Sequence, residues 1–150
     1  MQHSSKKVLA LGLIVLLAAI SRLIPHPMNF APLGAMALFG AAYFGNRGLG
    51  LLLTMIAWFI SDLVLNNFIY QSAEGFTLFT GGSFFIYASI VLIFGLGTIV
   101  MKKVDFPRVV AGSLGATFIF FVLSNLGVWA QNIMYPMTFG GLVACYTAAL

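Results

Sequence analysis

Apolar residues run almost unbroken along this chain, and the polar interruptions are few and short. Six apolar stretches stand out, at about 8–24, 32–46, 48–66, 82–101, 109–130 and 138–150. None alternates apolar and polar residues with the period of a half-buried strand. Each is therefore predicted as a helix, and the fold class as all-α: a polytopic transmembrane bundle of five to six helices in one domain, residues 1–150. The second stretch is short. Its fifteen residues rise ~22 Å, against a hydrocarbon core of ~30 Å. The sixth is shorter still and is predicted to cross partly or to lie at the interface. Pro32 suits the first turn of the second helix, where a missing N–H costs nothing.

Composition narrows the solvent. Of the 150 residues, 61% are hydrophobic and 7% charged, against ~25% charged in an ordinary soluble domain. Lipid must be the main solvent. Lys6-Lys7 before an apolar run could open a cleavable signal peptide. The run is long for that and ends in Arg22-Leu23-Ile24-Pro25 without a small-x-small site, so an uncleaved first helix is the better reading. The net charge of +4 is no nucleic-acid stripe, because the basic residues sit in short clusters between apolar runs. Counting charges also settles the short segment. If it crosses, Lys6, Lys7, Arg47, Lys102, Lys103 and Arg108 all fall on one side, which the positive-inside rule makes cytoplasmic. The expectation is a multi-pass protein of the inner cell membrane with its N-terminus cytoplasmic.

That topology gives each polar residue a depth. Arg22, His26, Asn29, Asp62, Asn66, Ser83, Tyr87, Asn125 and Trp129 then collect in the outer third. Trp58, Asp62 and Asn66 are four apart and share a helical face, as do Asn125 and Trp129. Aromatic walls with a few hydrogen-bonding groups are what a small-molecule pocket needs. The candidate substrate-binding set is Arg22, Asn29, Trp58, Asp62, Asn66, Tyr87, Asn125 and Trp129. Blander readings stand beside it. Asp62 with Arg22 is also a sensible structural ion pair near the headgroups. Trp58 and Trp129 also suit aromatic belts, Asn125 suits helix–helix contact, and His26 suits a headgroup loop. Small residues recur at intervals of four as Ala37, Ala41 and Gly45, and again as Gly112 and Ala116. The first stripe serves either internal packing or docking of a partner; the second is expected to pack internally.

The pattern holds no P-loop, GxSxG, HExxH or Cys/His cluster, and Cys145 is the one cysteine. No enzyme, no cofactor and no metal site is expected, and any energy for transport must come from elsewhere.

The stretch from Arg22 to Gly40, reading RLIPHPMNFAPLGAMALFG, carries a resemblance. So do Ser61-Asp62-Leu63, the run Ser124 to Trp129, and Tyr135-Pro136 before Gly140-Gly141-Leu142. Together they resemble a family of small, largely uncharacterised bacterial membrane proteins described by transport. That family is similar in layout to the substrate-binding components of energy-coupling-factor transporters. The resemblance implies roughly six helices and capture of a vitamin or metal ion from outside. It also implies a coupling protein and ATP-binding subunits as partners, with Ala37, Ala41 and Gly45 as a docking stripe. The family continues with a further hydrophobic helix, and this sequence ends before it. The functional expectation is a small-molecule or ion binding component of a transporter. The alternative is a structural accessory subunit of a larger membrane complex.

Overall fold

In a computed structural model, residues 2–24, 32–70 and 75–150 are described. Helix α1 spans Gln2–Ile20 and tightens into a 3-10 turn at Ser21–Leu23. It starts six residues before the apolar run, so Lys6 and Lys7 lie on its exposed first turns. Helix α2 is Leu33–Tyr43, and α3 is Arg47–Val64, continued by a π-helical turn at Leu65–Ile69. Helix α4 is Ser83–Val100, α5 is Phe106–Ala130 and α6 is Phe139–Ala148. The described residues contain no strand, and the fold is an all-α bundle.

Side-chain caps set several ends. The Asn46 carboxamide accepts from Leu49 N at 3.1 Å and opens α3. Asp105 accepts from Arg108 N at 3.1 Å and opens α5. Pro107 then sits in the first turn, where it costs no bond. The helix therefore begins at Phe106, three residues before the predicted start at 109. Thr138 accepts from Gly141 N and opens α6.

Helix α2 sits at the centre, packed against α1, α3, α4 and α5. Leu33, Met36, Ala37 and Leu38 are buried, with Ile90, Ile93 and Phe94 of α4 against them. Its eleven residues rise ~16 Å, about half of a hydrocarbon core. Small residues permit the close approach. A Cβ built on Gly97 of α4 would lie 2.7 Å from the Ala41 Cβ, and one on Gly112 of α5 would lie 2.6 Å from Met101 Cε. Ala37 is buried and the half-buried Ala41 packs against α4, so this part of the small-residue stripe has the internal-packing contacts that are one of its two expected uses. Gly45, past the end of α2, has open space around it. Gly112 and Ala116 pack internally, as expected.

The exterior is apolar. Leu17, Phe84, Ile99, Leu114 and Phe118 are all exposed. Among the described residues three stretches are long and apolar enough to cross a membrane, Arg47–Ile69, Ser83–Val100 and Phe106–Ala130. The apolar exterior and these helices are those of a membrane protein.

Charges sort by end. Lys7, Tyr43 and Asn46 line one cavity, and Tyr43, Met101, Val104 and Val109 line another beside it. Lys6, Lys7, Arg47, Lys102, Lys103 and Arg108 therefore gather at one end of the bundle. Arg22 and Asp62 lie together at the opposite end.

Candidate functional site

The site starts from a spacing of four. Trp58, Asp62 and Asn66 stand one turn apart on α3 and its π-helical continuation, so their side chains stack along one face. Helix α1 runs parallel alongside and delivers Arg22 from its terminal 3-10 turn. One Arg22 Nη1 donates to Asp62 Oδ1 at 2.7 Å and to the Ser61 hydroxyl at 2.5 Å. The guanidinium carbon also lies 3.5 Å from the centre of the Trp58 ring, a cation–π contact. Ser61 passes the bond on, donating to the Trp58 carbonyl at 2.7 Å. The ion pair is largely shielded, with side chains 14% and 18% exposed. An opposite charge nearby is what makes ionised groups tolerable at such depth.

A cavity of about 250 Å³ opens beside this pair. Arg22, Trp58, Asp62 and Asn66 form one wall, and Thr80, Ser83, Ile86 and Phe120 the other. It begins just past the start of α2: Gly34 is level with Ala116 of α5, and Phe120 is one turn further on. A larger cavity of about 640 Å³ shares Asn66 and Thr80 with it, and adds Tyr70, Thr77, Phe79, Gly81, Gln131 and Ile133. The two adjoin, and the second lies at the end of the bundle.

The loop that walls both is held by side chains. The Asn67 carboxamide makes a two-point clamp on Thr77, accepting from its N at 2.7 Å and donating to its carbonyl at 2.9 Å. The π-helical turn gives Asn67 this aim, with Tyr70 N bonding Leu65 O at 2.8 Å across five residues. Thr80 and Ser83 pair through their hydroxyls at 3.1 Å, and Ser83 Oγ also accepts from Thr80 N. Gln131 donates to the Gly127 carbonyl and lies against Gly81, whose missing side chain makes the space.

Of the eight expected binding residues, four converge on the smaller cavity: Arg22, Trp58, Asp62 and Asn66. Tyr87 stands behind them, edge-on to Phe79 at 6.1 Å. Its hydroxyl and Trp58 Nε1 are buried with no hydrogen-bond partner among the described residues. Asn125 and Trp129 are not brought to the cavity. The Asn125 side chain bonds its own helix at Phe121 O, 2.8 Å away. Trp129 Nε1 donates to the Pro136 carbonyl at 3.0 Å and ties the α5–α6 connection. Both serve α6, whose Tyr146 hydroxyl and Cys145 thiol reach the Val122 and Asn125 carbonyls of α5. Asn29 and His26 lie outside the described residues. Sequence reasoning left out Ser61, Thr80, Asn67 and Phe120. Ser61 was signalled by adjacency to Asp62, and Asn67 by the Asn66-Asn67 pair at a helix end.

Chemically the site offers one balanced ion pair, several neutral hydrogen-bonding groups and apolar walls. Among the described residues no three His, Cys, Asp or Glu side chains gather to hold a metal.

No curated protein and no solved structure matches the chain. A match does exist at the level of family, and it covers residues 2–150. The chain belongs to the family of unknown function DUF6580.

Proposed function

We propose that this protein is the solute-binding component of a membrane transporter, capturing a small molecule or ion by binding and not by catalysis. It would cross the inner membrane several times, with the N-terminus and the basic end cytoplasmic and the Arg22–Asp62 cavity facing outward. One observation carries the reading: four polar or aromatic residues from two helices converge on a cavity at the end opposite the cations. The adjoining cavity supplies a path to it. The positive-inside rule supports the orientation, and the resemblance to substrate-binding components supports the class. Energy would then come from a coupling protein with ATP-binding subunits.

The test is thermal melting of detergent-purified protein across vitamins, nucleosides and divalent metals. A solute at 100 times its dissociation constant stabilises by ~2.7 kcal/mol. Flat melting curves with every class would sink the proposal. Co-purification in mild detergent adds a second check: ATP-binding subunits favour it, and a stoichiometric place in an unrelated complex favours a structural subunit.

A further inference from the structure

The cavity beside the Arg22–Asp62 pair has walls that discriminate by charge. Both of its formal charges, among the described residues, are already spent on each other. The Arg22 guanidinium is bonded to Asp62 and Ser61 through one nitrogen, and its carbon lies 3.5 Å from the centre of the Trp58 ring. Ser61 has no donor left, since its hydroxyl is given to the Trp58 carbonyl. A solute with net charge has two ways to enter. It can split the pair, leaving Arg22 or Asp62 uncompensated, or it can sit beside the intact pair as an unbalanced charge of its own. Either leaves one lone charge in a shielded site between apolar helices, which is the costly arrangement.

What remains on the walls is neutral. Asn66 brings a carboxamide, Thr80 and Ser83 bring hydroxyls, and Ile86 and Phe120 bring apolar faces. A carboxamide donates and accepts along one edge, so its natural complement is another donor–acceptor edge. The volume of about 250 Å³ falls below the ~300–1,000 Å³ of drug-sized sites, which fits a solute of about one ring.

We infer that the solute of this cavity carries no net charge and presents a paired donor and acceptor, as an amide, lactam or nucleobase edge does. The inference rests on the binding role proposed above and names its substrate class.

Three probes share one ring and differ in charge: benzamide, benzoate and benzylammonium. Each is titrated against the purified full chain by thermal melting and calorimetry. Benzamide is expected to bind, with benzoate and benzylammonium on the order of 100-fold weaker, the penalty of a lone shielded charge. Asn66→Leu is expected to remove benzamide binding. Ser83→Ala, a milder change on the opposite wall, is expected to weaken it and guards against a misfolded Asn66 variant. Benzoate or benzylammonium binding as well as benzamide would overturn the charge class while leaving the binding role standing. Benzamide binding unaffected by either substitution would overturn the assignment to this cavity. No binding by any of the three at millimolar concentration would overturn the inference, while the binding role stands or falls by the wider screen of vitamins, nucleosides and divalent metals.

Discussion

Arg22 meets a carboxylate, a hydroxyl and an indole face at once, and that density of contact makes it the most constrained ionised group described. Asp62→Ala removes its counter-ion and leaves a shielded guanidinium. We expect a loss of about 3 kcal/mol, read as a melting temperature lowered by roughly 6–12 °C for a chain of this size. The double replacement Arg22→Met with Asp62→Leu removes both charges and should recover most of it, because a dry apolar pair needs no compensation. If the double variant melts as low as the single, the pair is not what the site depends on. This pairing was legible in the sequence. An ionisable residue within an apolar helix needs a partner, and Arg22 was the cation at matching depth. The Asn67 clamp was not. Its partner is the backbone of Thr77, and backbone partners leave no trace in side-chain identity. Asn125 and Trp129 misled for a related reason. Their spacing correctly placed them on one face, but a face does not say which neighbour it meets, and here the α5–α6 connection claims Trp129.

Among the elements, the contact of α2 with α4 is the tightest test of packing. Gly97 and Gly95 lie two residues apart on α4 and differ in surroundings. A side chain at Gly97 would press on Ala41, whereas nothing lies within 4 Å of the position at Gly95. Gly97→Ala should cost about 1–3 kcal/mol through overpacking. Gly95→Ala should be neutral or stabilising by up to ~1 kcal/mol, since alanine is the better helix former. Equal melting temperatures for the two variants would mean that α2 and α4 do not approach as closely as described. Helix existence followed from apolar runs, yet the ends did not, because hydropathy is blind to caps. Asp105 and Pro107 moved the start of α5 outside its apolar run. The π-helical turn carried α3 on to Ile69 beyond its predicted end. The small-residue stripe was visible, but periodicity alone could not tell an inner neighbour from an outer one.

For the molecule as a whole, six cations at one end and the Arg22–Asp62 pair at the other define an axis. The proposed orientation predicts a labelling pattern in a Cys145→Ala background. Phe76→Cys, on the loop beside the larger cavity, should react with a membrane-impermeant maleimide in intact cells. Lys103→Cys should react only once the membrane is opened. The reverse pattern would invert the orientation, and reaction of both from one side would remove the crossing between them.

The central place of α2 also bears on how the protein is made. A helix of eleven residues is too short to hold itself across a bilayer, and three of its four neighbours, α3, α4 and α5, come later in the chain. It has no complete seat until α4 has left the ribosome and entered the membrane. Biogenesis must therefore hold the second helix waiting, sheltered by the insertion machinery or by α1 and α3, while some forty residues separate its end from the start of its main partner. A chain arrested before α4 would present that helix to quality control as an unfinished span.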